Sequence, residues 1–227
     1  MPIPPRSILT IATLVTALAL PLAVAAEHHA DVQTLETQAA LTPEATLGLL
    51  KAGNERFLNG TMIKRDLAAQ VKATAGGQFP HSVIMGCIDS RVPPELVFDQ
   101  GIGDIFTPRI AGNFVDQELL GSIEFATAVA GSKVIVVLGH SACGAVKGAC
   151  DQVELGNLTQ TLSYIKPAVE AVPGFEGERN SGNSEFVKAV THENVRLTAA
   201  RMLSESLVLK ELVQREKLLV VGAIYDL

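Results

Sequence analysis

Two apolar runs, 82–88 (SVIMGCI) and 133–138 (KVIVVL), each lead directly into a segment dense in reactive side chains: MGCIDSR at 85–91 and LGHSACGA at 138–145. The second run is apolar at every position after Lys133 and mostly β-branched, the pattern of a strand covered on both faces in a parallel sheet. Further short apolar runs at 104–110 and 218–224 alternate with helical stretches. That alternation restricts the chain to an α/β fold, a mostly parallel central sheet flanked by helices. Ligands of such sheets gather outside the carboxyl ends of the strands. Cys87 and His140, distant in sequence, would therefore meet at one end of one sheet.

The rest of the chain divides simply. Arg6, an apolar stretch over 8–20, Pro21 and the small residues at 23–26 read as a secretory signal peptide spanning 1–25, cleaved after Ala25 or Ala26. An uncleaved membrane anchor is the alternative, weakened by three threonines and the proline. Residues 26–41 form a polar linker running into a short helix, and 42–227 form a single domain. Thr42 and Pro43 start a helix that Gly60 can end, with Leu47, Leu50, Asn54 and Phe57 on one face. Further helices are expected at 93–98, 117–130, 143–150, 155–172, 184–205 and 207–215.

The chain is 48% hydrophobic, so its core needs no disulfide staples. Its formal net charge is −6 and no basic stripe appears, which removes electrostatic support for nucleic acid binding. With the leader removed no stable membrane partner is expected, and export from a bacterial cytoplasm places the mature chain in the periplasm. Three cysteines make an odd count for an exported protein. Cys87 and Cys143 are better used as metal thiolates, and Cys150 as a small buried apolar residue.

In an extended segment Cys87, Asp89 and Arg91 face one side, and His140 and Cys143 share a face if a helical turn begins there. Two thiols and one imidazole are three ligands of a tetrahedral zinc site with one position left over, the arrangement of catalytic zinc. The fourth place has two claimants. Asp89 can bind the metal and close the shell. Alternatively Asp89 pairs with Arg91, and a water takes the place, its pKa lowered to about 7. Zinc-ribbon and thioredoxin-like readings both fail for lack of any C-x-x-C pair.

The segments GCIDSRVPPELVFDQGIGDIFTPRIAGNFV (86–115) and VLGHSACGAV (137–146) resemble the β-class carbonic anhydrases, and the resemblance runs from Thr42 through 218–227. It implies a lyase that reversibly hydrates carbon dioxide to bicarbonate and a proton through hydroxide on zinc. It implies one zinc per subunit on Cys87, His140 and Cys143, Asp89 and Arg91 as the catalytic dyad, and homodimers or dimer-based assemblies whose pocket a neighbouring subunit completes. Carbon dioxide needs an apolar niche, for which Phe98 and Val115 are candidates, each also readable as core. Gln100, by resemblance, and the Gly144 N–H are candidates for polar contact with substrate or bicarbonate.

Two departures from the family stand out: Ala145 where a second glycine is common, and a sequence that stops at Leu227 where family chains usually continue into another strand. The second bears on the oligomer interface rather than the zinc site. Trp is absent, so the family's allosteric bicarbonate site is not expected. The alternative activities are hydrolysis of CS2 or COS on the same zinc, and non-catalytic zinc or bicarbonate binding. His28 and His29 read as a terminal tail, and His81 and His192 as structural or surface residues that could relay protons.

Overall fold

A computed structural model describes residues 31–172 and 174–227. The leader and residues 26–30 of the linker lie outside the described residues. Three helices come first: α1 (Leu35–Ala40), α2 (Pro43–Leu58) and α3 (Leu67–Thr74). Strand β1 (Ser82–Gly86) is followed by α4 (Pro94–Val97), β2 (Ile105–Phe106) and α5 (Gln117–Glu124), which passes into a π-helical turn at Phe125–Val129. Then come β3 (Val134–His140), α6 (Gly144–Cys150), α7 (Gly156–Ser163), α8 (Lys166–Glu170), α9 (Ser184–Glu205), α10 (Leu207–Gln214) and β4 (Leu219–Tyr225). The four strands form one parallel sheet in the order β2-β1-β3-β4. Among the described residues no helix is long and apolar enough to cross a membrane.

Capping decides the helix starts. Thr42 accepts a bond from the Ala45 N–H, with Pro43 in the first turn of α2. Asp66 caps α3, a helix that the apolar pattern does not announce. Two expected elements are shorter than the sequence suggests. The strand expected at 104–110 survives as Ile105–Phe106 plus one isolated bridge between Gly86 and Arg109. Pro108 has no N–H to give a ladder there. The helix expected over 155–172 breaks into α7 and α8, because Pro167 cannot donate within a continuous helix.

Strand alternation builds the core. Val83 and Met85 of β1, with Ile135 and Val137 of β3, pack on one face against Ile123, Val195, Met202 and Leu209. Ile84, Val134, Val136 and Leu138 face the other way, against Leu50 of α2 and Val97 of α4. Both strands are buried throughout, and each fully buried Ile or Val side chain contributes roughly 1.5–3 kcal/mol. A third cluster holds Cys87 and Cys143 together with Phe114, Val146, Ile165, Phe186 and Val190. Cys150 is buried in this cluster, as expected, and burial pushes its thiol up to about 11.

Polar side chains secure the amino ends of the strands. Gln38 of α1 donates to the carbonyls of Pro80 and Ala130, which precede β1 and β3 (both 2.8 Å). His81, just before β1, bonds Ser82 Oγ at 2.7 Å and Gln100 Oε1 at 3.0 Å, and burial lowers its pKa. Asp99, fully buried and left-handed at φ 47°, is gripped by Arg56 and Arg65 and accepts from the Ile63 N–H. Burial alone would raise its pKa, but the two guanidinium groups outweigh it and the net direction is down.

A carboxylate whose folded pKa is depressed stabilises the fold above its unfolded pKa, near 3.9, and loses that contribution as pH falls through the folded value. Asp99→Asn keeps the shape and tolerates the left-handed backbone, so it isolates the charge. The variant should lose about 3–5 kcal/mol at pH 7 in denaturant unfolding, with the gap to the parent closing below about pH 4.

Candidate metal centre

The parallel pairing of β1 with β3 sets Gly86 beside Leu138, so Cys87 and His140 emerge from neighbouring carboxyl ends. His140 is the last residue of β3 itself rather than lying beyond it. A tight turn follows, with Ala142 left-handed at φ 55°. That turn, not a shared helical face, folds Cys143 back beside His140. Cys143 then starts α6, whose Ala145 and Val146 amides favour its ionised form.

The Cys87 and Cys143 sulfurs lie 3.9 Å apart. Zinc–sulfur bonds of about 2.3 Å at a tetrahedral angle require a separation of about 3.8 Å. The His140 Nδ1–H donates to the Ser141 carbonyl at 2.9 Å, which leaves the lone pair on Nε2. Nε2 is buried without a hydrogen-bond partner, and the three ligand atoms all lie within 4.8 Å of one another. A lone pair buried without a donor is costly, and two sulfurs beside it make a borderline-soft dication the natural occupant. The residues therefore fit zinc.

Electrostatics agree. The two sulfurs are within hydrogen-bond reach of each other, and this contact lowers the Cys87 pKa and raises that of Cys143. Two thiolates at this distance repel each other. A dication removes that repulsion and lets both become thiolates. The Gly112 N–H also reaches Cys87 Sγ at 3.4 Å. Gly112 sits at φ 87°, and a Cβ there would lie 2.3 Å from Ile165 Cδ1, so only glycine brings this amide to the sulfur. Asn194 of α9 holds the Gly112 carbonyl at 2.8 Å.

Asp89 and Arg91 meet by a route other than strand alternation. Residues 87–89 carry no regular secondary structure and a turn follows. The Arg91 N–H donates to Asp89 Oδ1 at 3.0 Å, an Asx-type turn. The Arg91 guanidinium then grips both carboxylate oxygens, Nε to Oδ1 at 2.9 Å and Nη2 to Oδ2 at 2.7 Å. These bonds hold the Asp89 pKa well below the usual carboxylate range. Asp89 Oδ2 still stands 3.8 Å from His140 Nε2. Of the two arrangements open to Asp89, this structure has the pair with Arg91.

The four expected pocket residues are placed differently from one another. Gly144 opens α6 next to Cys143, and a Cβ there would meet nothing within 4 Å. Phe98 packs in the cluster of Leu50 and Ile84, and Val115 in that of Val83 and Met85, both separate from the cluster of the sulfurs. The Gln100 carboxamide is engaged by His81 and by the Phe98 and Asp99 carbonyls. Arg109 was not foreseen. It donates to the carbonyls of Cys87 and Asp89, and a bond to backbone some twenty residues earlier leaves no local pattern.

Replacing Cys143 by serine removes one sulfur without disturbing the neighbouring α6 amides. Metal analysis of purified Cys143→Ser should show zinc falling from about one ion per chain to a small fraction of that. Unchanged zinc would remove Cys143 from the ligand set.

The comparisons with known proteins agree with this geometry. The carbonic anhydrase family profile matches residues 82–227. Carbonic anhydrase 2 of Mycobacterium tuberculosis is 40% identical over 190 residues, covering 82% of this chain and 89% of that protein. The carbonic anhydrase of Mycolicibacterium smegmatis is 35% identical over 187 residues, with the same coverage of 82% and 89%. Among solved structures, one from a study of two tetrameric β-carbonic anhydrases of Sordaria macrospora superposes with a TM-score of 0.61 at 27% identity, covering 81% of this chain and 90% of that one. On the sulfur–imidazole cluster and these relatives together, the chain belongs to the β-carbonic anhydrase family, zinc enzymes that hydrate carbon dioxide.

Proposed function

We propose that this chain is an exported, oligomeric carbonic anhydrase in which Asp89 and Arg91 form the catalytic dyad beside zinc on Cys87, His140 and Cys143. The observation that carries this reading is a carboxylate fixed by a bidentate arginine, 3.8 Å from the unpartnered nitrogen of the ligand cluster. When bound, zinc supplies a water that ionises near neutral pH.

Asp89, kept anionic by Arg91, can only accept hydrogen bonds. It would therefore accept a hydrogen bond from the attacking hydroxide, whose hydrogen stays on the oxygen, and so turn a lone pair of that oxygen toward the carbon of carbon dioxide. Arg91 keeps the carboxylate from swinging onto the metal, a task for which its planar fork suits it better than lysine. The oxygen of water ends in bicarbonate and one proton leaves to solvent. The Gly144 N–H, in the first turn of α6, is proposed as a donor to a bicarbonate oxygen. Phe98 and Val115, as an apolar niche for carbon dioxide, and Gln100, by resemblance, are proposed as pocket residues, and the resemblance implies a pocket completed by a second subunit.

Support for a dimer or larger assembly comes from exposed apolar side chains: Ile88 between the two site residues, Leu96 of α4, and Phe125 and Val129 of the π-turn. Support for export comes from the leader pattern of residues 1–25. The leader should be absent from chain recovered from the periplasm of a bacterial host. Its intact mass should correspond to a start at Ala26 or Glu27, and a mass that includes Arg6 would reject cleavage.

Stopped-flow hydration of carbon dioxide, with zinc measured on the same samples, tests the mechanism. Asp89→Asn should keep its zinc and lose on the order of a hundredfold or more in turnover. Near-parental turnover would remove Asp89 from the reaction.

A further inference from the structure

We propose that Arg109 is a positioning residue of the metal centre, fixing the main chain of residues 87–89 so that the Cys87 sulfur and the Asp89 carboxylate converge on one point. The proposal rests on the ligand assignment above. Arg109 Nε donates to the Cys87 carbonyl at 2.7 Å and Nη2 to the Asp89 carbonyl at 2.6 Å. Two N–H groups of one rigid plane thus set two peptide groups, two residues apart, relative to each other.

The Asp89 N–H also bonds the Cys87 sulfur, but among the described residues no other side chain bonds the carbonyls of both Cys87 and Asp89. The β1 ladder stops at Gly86, residues 87–89 carry no regular structure, and the intervening Ile88 is 61% exposed. The Asp89 carbonyl also accepts from the Val92 N–H at 3.1 Å, which closes the turn but does not reach Cys87. Arg109 reaches forward from a fixed base. Its flanking peptides pair with Gly86, through Gly86 N–H to the Pro108 carbonyl at 3.0 Å and Ile110 N–H to the Gly86 carbonyl at 3.1 Å. The side chain continues this ladder where the backbone has left it. Three residues later, in the turn that follows, the chain delivers the Gly112 N–H to Cys87 Sγ. One stretch, 109–112, therefore holds the first ligand by its carbonyl and by its sulfur.

The test uses the full chain with Arg109→Lys and Arg109→Met. Lysine keeps the charge and can reach one carbonyl at a time, and methionine reaches neither. Zinc release to a chelator and the sulfur-to-metal absorption of the cobalt-substituted protein report on the ligands. The thermal midpoint of the metal-free protein reports on the fold. We expect zinc release about tenfold faster in the methionine variant and less so in the lysine variant, an altered cobalt spectrum in both, and near-parental metal-free midpoints. Release within twofold of the parent and an unchanged spectrum would overturn the proposal. So would metal-free midpoints that fall in both variants as far as the metal-loaded ones, because Arg109 would then serve only the fold. A parent chain that takes up no zinc would overturn the ligand assignment itself, a result distinct from either.

Discussion

The in-register parallel pairing of β1 with β3 is the constraint on which the site depends. It carries Cys87 and His140 out of the sheet at adjacent points, with Gly86 opposite Leu138. A slip of one residue would turn every side chain of β1 to the other face, putting the set Val83 and Met85 where Ile84 belongs. The two differently packed faces forbid it, since each is buried against its own helices. The metal geometry is thus enforced by hydrophobic packing far larger than the site. The cluster of sulfurs and imidazole then needs only two local devices, the left-handed Ala142 and the close approach of Gly112.

Much of this was legible in the sequence because it follows from periodicity and from end signals. The all-apolar run at 133–138 is β3, and Thr42-Pro43 starts α2 where a cap and a proline predict. The ligand trio was readable because Cys87 directly follows an apolar strand, His140 ends another, and Cys143 stands three residues beyond His140. The pairing of Asp89 with Arg91 was readable as a choice, but its mechanism was not. An Asx turn brings them together, and turn chemistry at a serine-containing loop has no periodic signature. Bonds to main-chain carbonyls were the least visible. Arg109 and Asn194 both act on backbone distant in sequence, and any residue can supply a carbonyl. Lengths failed where prolines intervened, at Pro108 just past β2 and at Pro167 in the first turn of α8.

Charge is distributed with the same logic as packing. The buried Asp99 is neutralised twice, by Arg56 and Arg65, and serves the corner where α2 meets α4. Asp89 is neutralised once, by an arginine whose side chain is half in solvent. A twice-held buried acid is a fixture of the fold. A once-held acid at the rim keeps lone pairs available to a small ligand, which is what the hydration of carbon dioxide asks of it.

The carboxamide of Gln38 has a consequence for the whole molecule. It ties α1 to carbonyls that precede β1 and β3, and Gln70 ties the Asp31 carbonyl beside Ile102, just ahead of β2. Gln38 and Gln70 therefore anchor the amino-terminal arm at the pole of the sheet where strands begin, while gas and bicarbonate are handled at the pole where they finish. An arm held by those two carboxamides is fastened at the end of the sheet opposite the metal ligands.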